Sequence, residues 1–439
     1  MDLKKLLTQS IIWRGFYFFS LLLINIFLSR YLRAAGSGNL YFISIVLSFM
    51  QVVLSLGVES GIIYFASANI IERNKLVSVM GLWSVGAGVV TIGLVYLYFV
   101  FDHKLNQAFF LPYLIYGFLY VCGQSLSSYA TAIYYTRENY FLPNFLLAVV
   151  NLVFIFFIPG KNESTNAAET QKIIYLYFTT FLAGGLLVYL SFILNNRNTG
   201  SFGFLRRQQF INFFKYSITA LAANVIFFMV YRIDYFFVNS SPVCTAADLG
   251  NYIQVSKLGQ MMLIVPQIIA SVVFPRTASG IDRSVLNTAI VVIGRLLSQF
   301  YLIVLMLIAF AGNWIFVTVF GESFDKMQIP MLIMMPGIFA LSVLSLLSAF
   351  FSGKGKVSVN VRGASLGLIC MIIGDYLLVP RYGIIAAAAV STLSYSVNLG
   401  YSLLQFYHDH SIRWVEFIKW RRGDYNWLFN ILKRDAGRL

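Results

Sequence analysis

The amino-acid sequence predicts an all-α polytopic membrane protein with twelve transmembrane helices, arranged as two six-helix lobes related by a parallel repeat. Of the 439 residues, 59% are hydrophobic and only 11% are charged, and the mean hydropathy is +0.76. The chain also contains twelve apolar runs long enough to cross ~30 Å of hydrocarbon. A soluble core could not absorb so much apolar surface, so soluble fold classes are excluded.

The apolar runs form two sets of six, separated by a polar segment that contains Arg197, Arg206 and Arg207. The first set lies at about 11–30, 40–66, 76–101, 108–132, 140–159 and 172–194, and the second at about 213–238, 250–274, 285–311, 328–352, 357–379 and 383–407. We therefore predict an N-terminal lobe over residues 1–195, a cytoplasmic linker over 196–210 and a C-terminal lobe over 211–407.

The two lobes resemble each other in sequence. At one constant offset, small and polar residues of the first lobe align with identical residues of the second: Ser29, Gly38 and Asn39 with Ser241, Gly250 and Asn251. Matching hydropathy supports duplication of a six-span unit. Because a unit with an even number of spans returns to its starting side, the repeats are parallel, and in such transporters the substrate site lies between the lobes.

Basic residues indicate the orientation. Most of the 32 Lys and Arg residues fall at span ends that are inside if the N-terminus is cytoplasmic, so both termini are expected in the cytoplasm. The net charge of +15 is then a topology signal and an attraction to anionic lipid, not an indication of nucleic-acid binding. The N-terminal segment lacks a cleavage pattern and is interpreted as a retained first span. Residues 408–439 alternate aromatic and basic side chains, which predicts an amphipathic basic tail on the cytoplasmic membrane surface.

Motifs for an enzyme or a cofactor are missing from the sequence. Cys122, Cys244 and Cys370 are scattered, which supports neither a disulfide framework nor a metal site. The run Gly353-Lys-Gly-Lys356 is not followed by Ser or Thr at the position that a phosphate-binding loop requires, so no ATP site is predicted. The sequence predicts a transporter without catalytic residues, metal or cofactor, for which coupling to protons or sodium stays open.

Charged residues inside the apolar runs are the main candidates for function. A charge at bilayer depth costs at least ~2.5–3.5 kcal/mol and is retained mainly where it faces a protein-lined cavity. An excess of cations in a low-dielectric cleft attracts anions, and the Arg fork suits phosphate oxygens. We predict a cationic substrate-binding cavity and two acidic coupling or gating residues. The basic residues are Arg14, Arg232, Lys257, Arg295 and Arg362, and the acids are Glu59 and Asp234.

Polar residues accompany these charges at helical spacing and are predicted to line the cavity. They are Asn25 in the first span, Gln51 in the second, Gln254 and Gln260 in the eighth and Gln299 in the ninth. The alternative is structural, because small and polar residues also hold membrane helices together. Asp234 and Lys257 could likewise form an ion pair that clamps two helices.

Several motifs resemble those of Wzx-type O-antigen and polysaccharide flippases, members of the multidrug/oligosaccharidyl-lipid/polysaccharide exporter superfamily. Three runs resemble the N-terminal part of these proteins: Leu28-Ser-Arg-Tyr-Leu-Arg33, Gly38-Asn-Leu-Tyr-Phe42 and Leu56-Gly-Val-Glu-Ser-Gly61. Similar to their seventh, eighth and twelfth spans are Tyr231-Arg-Ile-Asp234, Leu249-Gly-Asn-Tyr252 and Val379-Pro-Arg-Tyr-Gly383. The chain departs from the family at Ser37, where Pro or Glu is expected, and at Ala386, where Gly is usual.

The resemblance implies a V-shaped pair of six-helix bundles in the bacterial inner (cytoplasmic) membrane. It implies a flippase that carries an undecaprenyl-diphosphate-linked oligosaccharide from the inner to the outer leaflet, for O-antigen or other polysaccharide assembly, by ion-coupled alternating access. The implied partners are membrane lipids and, downstream, polysaccharide polymerase and chain-length proteins.

Two other functions stay open. A multidrug or small-molecule cation antiporter of the same superfamily would share the architecture, but should carry more acid than base in its cleft. A membrane polysaccharide polymerase or ligase would need catalytic residues on a sizeable outer loop, whereas the longest predicted outer loop covers only about Gly160–Gln171.

Overall fold

A computed structural model of the protein describes residues 3–101, 110–159, 167–195, 203–278, 283–410, 414–421 and 423–425. Within these ranges all regular secondary structure is helical, which confirms the predicted all-α class. The α-helices are α1 (Leu3–Leu54), α2 (Val58–Ser67), α3 (Arg73–Phe101), α4 (Phe110–Tyr135), α5 (Phe141–Phe156), α6 (Ala167–Asn195), α7 (Arg207–Arg232), α8 (Asp234–Ser240), α9 (Ala246–Met262), α10 (Ile264–Ala278), α11 (Arg283–Phe320), α12 (Gln328–Gly353) and α13 (Val357–His410). Short 3-10 helices lie at Glu322–Phe324 and Trp414–Phe417.

These helices account for the twelve predicted spans. In the described part of the chain, eight helical segments are long and apolar enough to cross a membrane. Helix α1 contains the first predicted span and the first part of the second, and α13 contains the last two spans; helical geometry is interrupted at Arg33 (φ 59°) in α1 and at Gly383 (φ 58°) in α13. The seventh and eighth spans are each divided into two helices, α7 with α8 and α9 with α10.

The second span is broken between the end of α1 at Leu54 and the start of α2. Leu56 and Gly57 adopt left-handed backbone conformations, with φ values of 44° and 72°. Trp83 Nε1 donates a hydrogen bond of 2.9 Å to the Leu54 carbonyl, and the Gly57 amide donates one of 3.3 Å to Ser55 Oγ. These bonds satisfy backbone groups that the break would otherwise leave unbonded in an apolar environment.

The chain forms two compact units, Met1–Phe228 and Met229–Leu439. The first part of α7 belongs to the core of the first unit, where Phe213 is fully buried and its ring centre lies 5.6 Å from that of Phe65 in α2. From the sequence, the whole seventh span is predicted to lie in the C-terminal lobe that begins at residue 211. Packing instead joins α7, as far as Phe228, to the first unit.

In the second unit, α12 packs against α10, α11 and α13. Helices α12 and α13 approach closely at Gly337, where a Cβ would come within 2.8 Å of Thr392 Cα. Thr392 Oγ1 donates a hydrogen bond of 2.7 Å to the carbonyl of Ile333, close to Pro336 inside α12. This contact fixes the polar face of α13 that contributes to the site described below.

The predicted linker and tail lie partly outside the described residues. Residues 196–202 of the linker and 411–413, 422 and 426–439 of the tail are not among them. The remaining tail residues belong to the second unit: 408–410 are the end of α13, and 414–421 and 423–425 include the 3-10 helix at Trp414–Phe417.

Candidate functional site

The best-defined polar cluster lies in the second unit around Asp234, the first residue of α8, which is fully buried. Its Oδ1 accepts a hydrogen bond of 2.9 Å from the Tyr235 amide. Its Oδ2 accepts bonds of 2.6 Å from the Tyr252 hydroxyl and 3.1 Å from Ser391 Oγ. A buried carboxylate needs such donors because its charge is very costly away from water. The donors come from α8, α9 and α13, so the acid links three helices.

A second acid, Asp375 of α13, is also fully buried and lies close enough to Asp234 for their charges to interact. Neither of its carboxylate oxygens has a hydrogen-bond partner among the described residues. Two carboxylates that share a buried site cannot both be ionised unless a proton or another cation compensates one charge. The Asp234 carboxylate and the hydroxyls of Tyr252 and Ser391 bonded to it offer only oxygen atoms, which are the ligands that hard cations prefer.

Two basic side chains lie close to each other, and one of them, Arg232, also lies near Asp234. Arg232, the last residue of α7, donates a hydrogen bond of 3.0 Å from Nη2 to Gln260 Oε1 and lies within electrostatic range of Asp234. Lys257, three residues before Gln260 on α9, is near enough to Arg232 for the two positive charges to repel each other. Gln254, three residues earlier again, is fully buried. The structure therefore brings together most of the candidates that the sequence placed in the seventh and eighth spans.

Hydrogen bonds connect the basic and acidic parts of this cluster. Gln260 accepts a hydrogen bond from Arg232, and its Nε2 lies 3.5 Å from Ser256 Oγ. Ser256 Oγ also accepts a bond of 2.6 Å from the Tyr235 hydroxyl, and the Tyr235 amide is bonded to Asp234. A connected polar network of this kind transmits a change in charge at one end to the groups at the other.

In the first unit, Arg14 and Glu59 both lie near Tyr135. The Arg14 guanidinium is 5.8 Å from the Tyr135 ring centre, within cation–π distance. Glu59, in the first turn of α2, is exposed and accepts a short hydrogen bond from Ser128 Oγ. The first unit thus carries one basic and one acidic candidate near a single tyrosine, and the acid directly follows the break in the second span.

The predicted lining residues of the first unit are placed by helix packing. Gln51 Nε2 lies 3.5 Å from Ser125 Oγ of α4, and Asn25 is 4% exposed inside α1. Both environments fit the structural alternative given above, in which polar residues hold helices together.

Arg295 and Gln299 belong to neither cluster. The Arg295 guanidinium pairs with Glu416 at 3.1 Å and with Asp424 at 3.0 Å, and Gln299 Oε1 accepts a short hydrogen bond from the Tyr425 hydroxyl. Because the tail occupies these groups, Arg295 and Gln299 are removed from the candidate substrate site. Arg362 is exposed on α13, and its assignment stays a prediction.

Sequence reasoning did not rank Asp375 with the principal candidates. The acid was visible inside the predicted span 357–379, but it lies near the end of that span, where a carboxylate is often solvated. In the structure α13 continues past this point, so Asp375 is enclosed by the second unit. Tyr252 and Ser391 were visible as polar positions, but their shared hydrogen bond to Asp234 depends on tertiary packing.

No protein-family model and no curated protein sequence matches this chain. Several solved structures do. The lipid II flippase MurJ in its inward closed conformation gives a TM-score of 0.67 at 16% identity, covering 97% of this chain and 93% of that chain. A multidrug resistance MATE family transporter of the MOP superfamily, in its inward-facing conformation, gives 0.64 at 12% identity and covers 94% and 97%. The MATE transporter VcmN of Vibrio cholerae gives 0.62 at 14% identity and covers 94% and 99%.

These likenesses establish the fold. The chain is a multi-pass membrane protein with the helical architecture shared by MurJ and the MATE transporters, as the predicted fold class requires. The three similar structures named above are a lipid II flippase and two MATE transporters, so they differ in what they carry. The substrate therefore has to be argued from this chain's own residues.

Proposed function

We propose that this protein is a flippase that moves an undecaprenyl-diphosphate-linked oligosaccharide from the inner to the outer leaflet of the bacterial inner membrane, for polysaccharide or O-antigen assembly. The observation that carries the proposal is the proximity of two cations, Arg232 and Lys257, at the junction of α7, α8 and α9. The two positive charges repel each other, and an anion bound between them offsets that repulsion. A diphosphate supplies several negative oxygens, and the Arg fork binds two at once.

Ion coupling follows from the neighbouring acid pair. When one proton or one sodium ion is bound, Asp234 and Asp375 carry one net negative charge between them. When that cation leaves, they carry two, close to Arg232. Cation loading therefore favours binding of the anionic substrate, and by thermodynamic linkage the substrate favours cation loading by the same factor.

This coupling has its own test. Asp375→Asn removes one of the two acids, so the pair no longer needs a compensating cation. Transport by this variant should lose its dependence on a proton or sodium gradient, while downhill movement of the substrate continues. A variant that responds to the gradient like the unmodified protein would contradict the role given to Asp375.

The proposal includes the surroundings that the sequence predicts. Both termini lie in the cytoplasm, because basic residues concentrate at that side, and the chain needs neither ATP nor another cofactor. A polysaccharide polymerase and chain-length proteins would then use the translocated glycan at the outer face.

A multidrug or small-molecule cation antiporter is the second candidate. It is favoured by the fold shared with MATE transporters and by the buried acids Asp234 and Asp375, which an organic cation could neutralise. The adjacent cations Arg232 and Lys257 disfavour it, because they repel a positively charged drug.

The two candidates are separated by reconstitution. Purified protein in proteoliposomes is given a fluorescent oligosaccharide on a polyprenyl diphosphate, and exposure of the label to an impermeant quencher is followed under a proton or sodium gradient. Arg232→Gln and Lys257→Gln should each slow flipping roughly 10- to 150-fold, since a hydrogen bond to a charged group contributes about 1.5–3 kcal/mol. Lys215→Gln, which removes an exposed charge from α7, is the matched control.

Two results decide against the proposal. One is normal flipping by both charge variants at the protein level of the control. The other is gradient-driven export of an organic cation such as ethidium by a protein that leaves the diphosphate lipid in place. The second result would support the antiporter.

A further inference from the structure

The tail is held against α11 by a buried charge cluster that the transport site does not use. Arg295 is 5% exposed, and all three of its guanidinium nitrogens bond to the tail. Nε donates 2.6 Å to the Glu416 carbonyl, Nη2 donates 3.1 Å to the Glu416 carboxylate, and Nη1 donates 3.0 Å to Asp424. Breaking a buried ion pair is strongly destabilising because it leaves a buried charge without compensation. The contact of Arg295 with Glu416 and Asp424 is therefore specific, and we refer to it as the dock.

Apolar packing completes the dock beside Arg295. Phe417 is 2% exposed and lies over Gly294, where a Cβ would come within 2.6 Å of the Phe417 ring. The other side of the Phe417 ring faces Phe406 of α13, at 6.2 Å between ring centres. The missing side chain at Gly294 thus makes room for one aromatic residue of the tail.

The length of α11 allows this dock to lie at a membrane boundary. The helix has 38 residues, so it is about 57 Å long at 1.5 Å per residue, nearly twice the ~30 Å of hydrocarbon. Roughly 20 residues counted back from Phe320 reach the neighbourhood of Phe300. Phe300 and Ile303 are 50% and 67% exposed, as lipid-facing side chains would be. The helix is therefore long enough to extend past the hydrocarbon at the end that carries Arg295.

The tail residues that follow Phe417 are exposed and alternate between apolar and basic. Ile418 and Trp420 are 51% and 67% exposed, and they alternate with Lys419 and Arg421. Arg421 also donates 2.8 Å to Glu416, so the same acid that holds Arg295 orients this basic residue. Aromatic and aliphatic side chains interleaved with cations are the composition that binds the interface of an anionic bilayer.

We propose that residues 414–421 and 423–425 form a membrane-interface anchor, clamped to α11 through Arg295, whose exposed face binds the anionic phospholipid surface at that end of the helix. Two features favour lipid as the occupant. The exposed residues Lys419 and Arg421 are basic, which complements anionic headgroups, and the tail is held against α11, which exposes the apolar residues Phe300 and Ile303. In this role Arg295 positions the anchor and makes no contact with the transported substrate.

The lipid contact is tested by spin labels on the full-length protein in nanodiscs. Labels at Ile418→Cys and Trp420→Cys should be more accessible to oxygen than to a water-soluble nickel complex, and increasingly so as phosphatidylglycerol replaces phosphatidylcholine. A label at Glu322→Cys, on an exposed turn at the other end of α11, is the control and should favour the nickel complex in both lipids. Lys419→Gln should reduce the phosphatidylglycerol effect, whereas Lys215→Gln should not.

The clamp is tested by limited trypsin digestion after Lys419 and Arg421. Asp424→Asn leaves part of the Arg295 charge uncompensated, so cleavage should accelerate about 100-fold or more. Labels at 418 and 420 that stay accessible to the nickel complex in every lipid would overturn the membrane assignment. If the labels lose mobility only when a second protein or a second copy of this chain is added, the exposed residues bind that partner and not lipid. Cleavage of Asp424→Asn at the unmodified rate would overturn the clamp.

Discussion

The break in the second span gives the most direct test of the fold, because it depends on one glycine. Gly57 has φ +72°, and a Cβ at this position would overlap the Ser217 carbonyl oxygen of α7 and lie 2.9 Å from the carbonyl carbon. Both obstructing atoms are backbone, so no rotamer change relieves the overlap. The substitution Gly57→Ala therefore tests whether α2 and α7 are in contact through their main chains.

The expected cost has two parts. A left-handed conformation costs a non-glycine residue roughly 1–2 kcal/mol, and forcing an extra carbon into a packed contact costs about 1–3 kcal/mol. Gly57→Ala should therefore lower the free energy of unfolding by ~2–5 kcal/mol. The matched control is Gly86→Ala in α3, where a Cβ would meet nothing within 4 Å. That substitution should stabilise the helix by about 0.5–1 kcal/mol.

The assay is thermal unfolding of the purified variants in nanodiscs, followed by tryptophan fluorescence and by retention of monodisperse protein. Gly61→Ala adds a second level of control, because its Cβ would overlap a side-chain atom, Ser217 Oγ, and lie 2.9 Å from the Phe213 ring. Adding Ser217→Ala should partly rescue Gly61→Ala but not Gly57→Ala. If Gly57→Ala unfolds within ~0.5 kcal/mol of Gly86→Ala, a difference typical of unremarkable surface changes, the proposed main-chain contact does not exist.

Three further predictions concern single side chains. Tyr252→Phe removes the hydroxyl that donates a hydrogen bond of 2.6 Å to Asp234 and should lower the free energy of unfolding, measured in thermal melts, by about 1.5–3 kcal/mol. The control Tyr116→Phe, at a buried tyrosine of the first unit, should change it little, and equal effects would contradict the acid network. Trp83→Phe leaves the last carbonyl of α1 without its 2.9 Å donor and should cost at least ~1 kcal/mol; an unchanged melting temperature would show that the break does not depend on this bond. Burial raises the pKa of the Cys244 thiol above its ordinary value, so less thiolate is present at neutral pH. Maleimide labelling, measured by mass spectrometry, should therefore accelerate beyond about pH 9, and labelling that is fast and independent of pH would refute this.

The number and positions of the spans could be predicted from the sequence because the signal is local. Each span must cover the same thickness of hydrocarbon, so a run of apolar residues identifies it without knowledge of its neighbours. The break at Leu56 and Gly57 could not be predicted in this way. It depends on α7 filling the space beside α2, and no local pattern of hydropathy records that contact.

The candidate site was predictable only in part, as Arg232 and Arg295 illustrate. Both appear in the sequence as single arginines inside apolar runs, so both are predicted to face a cavity for the same reason. The acids that bond to Arg295 come from the tail, 121 and 129 residues further along the chain. Nothing near Arg295 in the sequence indicates that its charge is satisfied by the tail.

The sequence by itself determined the class of protein, the twelve spans and the identity of the charged residues that a membrane helix would not retain without a use. Only the tertiary structure decided which charges meet: Asp234 with Asp375, Arg232 with Lys257, and Arg295 with the tail. The physical reason is that hydropathy is a property of each segment against lipid, whereas the energy of a buried charge depends on the few ångströms around it. Those neighbours are brought together by helices far apart in the chain.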